Sequence, residues 1–259
     1  MVFVIAEAGI CHNGDILEAH RLVVAAKRCG ADAVKFQHFN SQRLWGDDRI
    51  AKYELTVKQL TMLKEHADSL GIEFMCTAFD CLSLVEILPL IQRIKISSGC
   101  IGDRDLKRVA ANSGMPIIMS SGMADHRGTM AHVGFFSHLV DLVLLQCTSI
   151  YPCPLDQVNL KSMLAFKNYW EPKLKVGFSD HTTGINCAIA AAALGATVIE
   201  KHLTLDCNAE GPDHKASIEP DQFKQMVQGI REVEQALGDG IKRVQPGEQA
   251  LREIWHARK

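Results

Sequence analysis

The sequence has no Cys-x-x-Cys pair, no Gly-x-Gly-x-x-Gly after its first apolar run and no block of basic residues. Each absence removes a function class. Without closely paired cysteines, a structural zinc site lacks its usual ligand spacing. Without the glycine fingerprint, a dinucleotide-binding fold lacks its phosphate turn. The 28 basic and 30 acidic residues are mixed along the chain and leave a net charge of −2. No basic stripe therefore marks a nucleic-acid partner, and no basic amphipathic helix marks a membrane surface. The longest nearly apolar run, Ile185 to Ile199, is interrupted by Asn186 and Gly195 and falls short of the roughly 20 residues that span a bilayer. The amino terminus, Met1 to Glu7, has no basic leader and reads as a strand, not a signal peptide. The nine cysteines are irregularly spaced, and Cys29, Cys76, Cys147 and Cys187 fall within apolar segments, which suits a reducing cytoplasm.

What is present is a repeated strand-then-helix unit. Apolar, β-rich runs occupy Val2 to Gly9, Ala33 to Gln37, Glu73 to Asp80, Arg93 to Gly99, Pro116 to Gly122, Leu142 to Ser149, Val176 to Thr182 and Thr197 to Asp206. Helical spacing follows each of them, as in Ile16 to Cys29 before Gly30, Val57 to Leu70 before Gly71, and Pro220 to Leu237. Continuous apolar runs indicate strands buried on both faces, as in a parallel sheet. Eight such units with no dividing linker predict an α/β fold, a single-domain (β/α)8 TIM barrel over residues 1–240, with 241–259 as a tail.

In such a barrel the active site lies at the carboxyl ends of the strands. Those ends carry Glu7, Lys35 and Gln37, Thr77 and Asp80, Lys95 and Ser98, Ser120 and Ser121, Thr148 and Ser149, Ser179 and His181, and Glu200 and His202. Strand alternation puts Ser179 on one face with His181, and Glu200 on one face with His202. The stretch 182–201 between the histidines is long enough for a parallel crossover, so both imidazoles end adjacent strands. Either histidine alone reads as a satisfied core residue; together, within a polar ring, they point to a divalent-metal site. Two histidines without a third obvious ligand make an open site, suited to Mn²⁺ or a similar labile ion acting on a carbonyl. His12 and His214, in loops on the same face, are weaker candidates. Lys35 and Lys95 among hydroxyls make an anion cradle, although the same lysines could instead pair with Glu7 and Glu200.

Nine ordered motifs over nearly the whole chain resemble the sialic acid synthase (N-acetylneuraminate synthase) family. They are Ile5-Ala-Glu-Ala-Gly-Ile-Cys-His-Asn-Gly14, Lys35-Phe-Gln37, Thr77-Ala-Phe-Asp80, Lys95-Ile-Ser-Ser-Gly99, Ser120-Ser-Gly-Met123, Cys147-Thr-Ser-Ile-Tyr-Pro152, Gly177-Phe-Ser-Asp-His-Thr182, Glu200-Lys-His202 and Gly211-Pro-Asp-His214. The resemblance implies condensation of phosphoenolpyruvate with an open-chain aldose similar to N-acetylmannosamine, giving a nonulosonic acid and phosphate. It implies a divalent metal on His181 and His202, Mn²⁺ first, with Mg²⁺ or Co²⁺ as alternatives. Lys35, Thr77, Lys95, Ser98, Ser120 and Ser179 would hold phosphoenolpyruvate, with Ser149 where the family usually has Asn. Glu7, Gln37, Tyr151 and Asp213 would face the sugar, and Glu200 would stand beside the metal as a proton-transfer group. Glu7, Glu200, Lys35 and Lys95 are thus the candidate catalytic set.

Three departures accompany the resemblance. Cys100 stands where the family places a carboxylate against the sugar. The chain stops at Lys259, about where the family continues towards a C-terminal antifreeze-like (SAF) domain, and the usual lead-in before the first strand is missing. Rival readings keep the chemistry on a different sugar acceptor, reduce the barrel to a non-catalytic binding subunit, or make it a metal-dependent aldolase without a phosphate cradle. Trp255 in a charged terminal segment points to a homo-oligomer, a dimer or tetramer, or equally to an exposed, disordered tail.

Overall fold

Eight parallel strands close on themselves in a computed structural model of the chain, which describes residues 1–136, 141–170 and 174–257. They are β1 (Phe3–Gly9), β2 (Ala33–His38), β3 (Glu73–Ala78), β4 (Ile94–Ile96), β5 (Ile117–Ser120), β6 (Leu142–Cys147), β7 (Lys175–Asp180) and β8 (Val198–His202). Each pairs with its neighbours in sequence, and β8 returns to β1 with Glu7 opposite His202. The predicted (β/α)8 barrel is therefore the observed fold.

The outer layer begins with α1 (Ile16–Arg28), α2 (Ser41–Trp45), α3 (Val57–Leu70), α4 (Cys81–Ile87) and α5 (Arg104–Asn112). It continues with α6 (His126–Phe136), α7 (Lys161–Trp170), α8 (Asn186–Ala193) and α9 (Pro220–Leu237), and α10 (Gln249–His256) follows. Local chemistry sets their ends. Asp15 caps α1 by accepting from Leu17 N at 2.8 Å. Thr56 and Gln59 form a reciprocal capping box on α3, which stops at Gly71 in the left-handed region. The apolar spacing of α1 buries Ala19, Leu22, Val23 and Ala26, while Leu17 faces solvent.

Two apolar layers follow from strand alternation. Outward residues such as Val4, Phe36, Phe74, Ile96, Met119, Leu144 and Phe178 meet the helices in the main core. Inward residues Ile5, Ala33, Met75, Ile118, Leu145 and Val198 form a separate plug inside the barrel. Below the plug, Arg93 stacks over the Phe3 ring at 4.4 Å and pairs with Glu73 at 2.7 Å. The plug closes one end, so the polar ring opens only at the carboxyl end.

Several boundaries differ from the sequence expectation. β4 is cut to three residues because Ser98–Cys100 turns at once into a 3-10 helix. β7 ends at Asp180, which leaves His181 one residue beyond the strand. α2 is a single turn inside what the sequence presents as a long loop. Residues 241–257 are exposed throughout, including all of α10. Among the described residues, no helix is long and apolar enough to cross a membrane.

Candidate active site

Continuing the inward parity above the plug places Glu7, Lys35, Thr77, Lys95, Ser120, Cys147, Ser179 and Glu200 around a cavity of about 300 Å³. Gln37 and His202, one inward position further on, also line it, as do Ser98, Ser149, Tyr151, His181 and Asp213 from the loops. The candidate catalytic, substrate and metal residues of the sequence reading thus all line one cavity, except the weaker metal candidates His12 and His214.

The floor is a buried charge network. Lys35 Nζ lies 2.6 Å from Glu7 Oε2 and 3.5 Å from Glu200 Oε2, and it donates to Thr77 Oγ1 at 2.7 Å. Lys95 Nζ lies 3.2 Å from Glu200 Oε1, and Ser179 Oγ donates to the same oxygen at 3.0 Å. Gln37 Nε2 donates to Glu7 Oε1 at 2.9 Å. The pairing of both lysines with the two glutamates is therefore real, and the lysines line the cavity as well.

The two carboxyls are driven apart. Burial raises the pKa of Glu7, helped by the nearby Glu200 charge and only partly offset by Lys35. Burial also acts on Glu200, but Lys35 and Lys95 outweigh it and hold that carboxyl down at about 2. For Lys35, burial favours the neutral amine, yet Glu200 and Glu7 together raise its pKa. A pair of carboxyls separated in this way offers one fixed anion and one proton carrier.

One wall is a nest of hydroxyls. Ser98 Oγ accepts from Gly122 N at 3.1 Å and donates to Cys147 Sγ at 3.5 Å. Ser120 Oγ and Ser149 Oγ are buried without a hydrogen-bond partner in the protein. Buried polar atoms are seldom left unpaired, so two such hydroxyls facing one cavity are places for a polar ligand.

The opposite wall holds the histidines, with ring centroids 5.6 Å apart. His181 Nδ1 lies 2.7 Å from Thr148 O; a carbonyl only accepts, so Nδ1 carries a proton. Burial acts against the charged ring, but Cys147 and this carbonyl outweigh it and raise its pKa. His202 Nδ1 has no hydrogen-bond partner and lies 3.7 Å from Asp213 Oδ2. Burial, reinforced by His181, holds the His202 ring well below the usual imidazole range, in the neutral form a metal requires. The Tyr151 ring lies over His181 at 4.0 Å between centroids. Among the described residues, no group of three or more His, Cys, Asp or Glu side chains is arranged around a single point. The donor set fits an ion held by two imidazoles and open to substrate oxygens.

Gly9 brings β1 close to this wall. Its φ is +50°, and a Cβ there would come within 2.7 Å of Asp213 Oδ2 and 3.3 Å of both Gln37 Nε2 and Glu7 Oε1. Glycine is required both by the left-handed backbone and by the lack of room.

Other polar strand ends turn away. Asp80 caps α4 through Ser83 N and pairs with Arg43; Ser121 Oγ donates to Leu145 O; Thr148 Oγ1 donates to Gln157 O. His12 accepts from Gly14 N and His214 bonds Thr204 Oγ1, and neither lines the cavity. Cys100 is buried with its thiol directed to Phe79 O, so it offers the cavity neither a carboxylate nor a thiol. Sequence reasoning passed over Cys147, Phe79, Ser97, Gly99 and Met123 as cavity walls. For Cys147 the signal was there, since it follows Val143 and Leu145 at inward parity.

Comparison with known proteins agrees with the geometry. The chain is 40% identical to N,N'-diacetyllegionaminic acid synthase of Legionella pneumophila, an alignment covering 97% of this chain and 78% of that protein. It is 34% identical to human N-acetylneuraminate-9-phosphate synthase over 97% of this chain and 75% of that one. The crystal structure of N-acetylneuraminic acid (sialic acid) synthetase from Leptospira borgpetersenii serovar Hardjo-bovis in complex with citrate superposes with a TM-score of 0.92 at 32% identity, covering 100% of this chain and 93% of that one. A NeuB family model matches residues 22–242, and the chain belongs to the NeuB family.

Proposed function

We propose that this protein is a sugar acid synthase that joins phosphoenolpyruvate to the carbonyl carbon of an open-chain, N-acetylmannosamine-like aldose, releasing a nonulosonic acid and inorganic phosphate. The observation that carries the reading is the convergence of two ammonium groups, two unpartnered hydroxyls and two imidazoles on one cavity of about 300 Å³. Relatives named for legionaminic, sialic and pseudaminic acid synthesis support the class of product. The residues 1–240 are the synthase barrel in this reading, and 241–259 are a tail.

Lys35 and Lys95 hold the phosphate and carboxylate of phosphoenolpyruvate, with Thr77, Ser98, Ser120, Ser149 and Ser179 supplying directed donors. Glu7, Gln37, Tyr151 and Asp213 position the sugar. C3 of the enol forms a bond to the aldehyde carbon, whose C=O π pair becomes a hydroxyl, and water adds at C2. Breaking the C2–O(phosphate) bond releases phosphate as the C2 hydroxyl loses its proton and becomes the carbonyl of a 2-keto acid. One water proton thus ends on the new hydroxyl and the other on phosphate. Glu7, whose raised pKa suits proton exchange, takes a proton from the water and returns it to the leaving phosphate. Glu200 remains ionised and stabilises positive charge developing at C2. A divalent ion, Mn²⁺ by preference, would be held by His181 and His202 and would polarise the aldehyde. The apolar plug closes the cavity below, and the half-exposed Tyr151 lines it on the loop side.

The test is phosphate release with 2-keto acid formation across a panel of aldoses, with and without Mn²⁺. Phosphoenolpyruvate- and metal-dependent turnover of an N-acetylated aldose is expected. Release with another sugar would keep the chemistry and change the acceptor. No turnover together with no binding of phosphoenolpyruvate would remove the reading. A homo-oligomer is also proposed, on the exposed Leu251, Ile254 and Trp255 of α10, and light scattering measures it.

A further inference from the structure

A second charge pair lies outside the cavity, on the outer faces of β7 and β8. Asp180 Oδ2 is 3.1 Å from Lys201 Nζ, and both side chains are fully buried. The two residues are register partners across the strands. Lys201 Nζ also donates to Thr182 O and lies 3.5 Å from Thr182 Oγ1, while Asp180 Oδ1 accepts from Thr182 N at 2.8 Å. Lys201 Nζ therefore has two hydrogen-bond acceptors on Thr182 and the Asp180 carboxylate at ion-pair distance, and the loop at Thr182 is held by both its N–H and its C=O.

This pair has no evident reason to exist for stability alone. A fully buried ion pair loses in desolvation much of what it gains in attraction, and packed apolar residues of similar volume serve as well or better. Its neighbours on the same faces, Phe178 and Ile199, are apolar. Its position in the chain is more telling. Asp180 immediately precedes His181, Lys201 immediately precedes His202, and alternation turns each histidine towards the cavity as its neighbour turns outward. His181 lies beyond the end of β7, so no strand pairing fixes it. On the β6 side His181 O accepts from Cys153 N at 2.8 Å and its Nδ1 bonds Thr148 O; on the β8 side residues 180 and 182 are held by the contacts of Asp180, Thr182 and Lys201.

We infer that Asp180, Thr182 and Lys201 form a positioning clamp that sets the spacing of His181 and His202 for a single divalent ion. The clamp touches neither substrate nor ion; it acts through the backbone of residues 180–182. The inference rests on the two-histidine metal site proposed above, and it assigns to outward-facing residues the control of that site's affinity.

The experiment is Mn²⁺ binding by the full-length protein, followed by loss of the free-ion EPR signal. Thermal unfolding and protection by phosphoenolpyruvate are measured in parallel on wild type, Asp180→Asn and the double variant Asp180→Asn/Lys201→Met. Asp180→Asn keeps the volume and an acceptor for Thr182 N, and the double variant leaves no unpaired buried charge; the thermal unfolding curves identify which of them is folded. The expected result is a tenfold to hundredfold loss of Mn²⁺ affinity, as for other supporting groups around metal ligands, with phosphoenolpyruvate protection retained. Mn²⁺ affinity within threefold of wild type in a folded variant would overturn the clamp and leave the metal site standing. A parallel loss of phosphoenolpyruvate protection would reduce the pair to a general structural role. Failure of wild type itself to bind Mn²⁺ would sink the metal site and the clamp together.

Discussion

Lys95 Nζ lies 3.2 Å from Glu200 Oε1, with both side chains almost wholly buried. Lys35 reaches the other oxygen of the same carboxylate, so Glu200 balances two ammonium groups at the floor of the cavity. Replacing it by glutamine leaves that positive charge undercompensated, which costs about 3–5 kcal/mol for a buried pair. Glu200→Gln is therefore expected to unfold at lower temperature. Added phosphoenolpyruvate should raise its Tm by more than it raises that of wild type, because an anion then supplies the missing charge. An equal or smaller rise in scanning fluorimetry would place the ligand elsewhere. Lys35→Met and Lys95→Met should each weaken phosphoenolpyruvate binding by about tenfold to a hundredfold, measured by calorimetry.

Two glycines are expected to separate stability from binding. A Cβ on Gly177 would strike the carbonyl of Val198 and come within 2.6 Å of Leu145 Cδ2, inside the barrel plug. Gly177→Ala should cost about 1–3 kcal/mol in urea unfolding, since backbone cannot step aside. On Gly122 the same atom would strike Ser149 Oγ and lie 2.5 Å from Ser98 Oγ, both at the ends of short side chains. Gly122→Ala should leave the unfolding midpoint nearly unchanged and abolish phosphoenolpyruvate protection.

Chelation should stop phosphate release and leave phosphoenolpyruvate binding intact, because the lysine cradle and the histidine wall are different side chains. His202→Ala should abolish Mn²⁺ binding seen by EPR while phosphoenolpyruvate still raises Tm. Loss of both ligands together would mean that the ion and the enol phosphate are not held separately.

His12 supplies a pH dependence remote from the cavity. It is fully buried, its Nδ1 accepts from Gly14 N, and burial lowers its pKa from 6.5 to about 4. A group with a depressed folded pKa contributes stability above its unfolded value and loses it as pH falls through its folded value. Between pH 6.5 and about 4 the unfolded chain takes up a proton that the folded chain excludes. That window should remove about 3 kcal/mol. In His12→Asn, which keeps an acceptor for Gly14 N, denaturant midpoints should fall less over the same range. An unchanged acid limb would assign the pH dependence to other groups.

Much of the site could be read from strand parity. Glu7, Lys35, Thr77, Lys95, Ser179, Glu200 and His202 all follow from counting by twos along buried runs, because alternation is a local property of an extended backbone. Parity also separates the strand-end residues that are not in the site: Asp80, Ser121 and Thr148 fall at outward positions and serve helix caps and loop carbonyls. Beyond the strand ends parity no longer applies. Cys100 sits in a motif that borders the cavity, and the turn at Ser98–Cys100 carries its thiol back into the core.

The sequence by itself determined the barrel, its inward and outward faces and the polar ring at one end, since periodicity and glycine or capping stops act within a few residues. Only the tertiary structure decided which charges meet. It set Glu200 between Lys35 and Lys95, brought Tyr151 and Asp213 from distant loops to the histidines, and joined Asp180 to Lys201 behind them. These relationships depend on how far apart two strands or loops come to rest, a distance set by packing across the whole barrel.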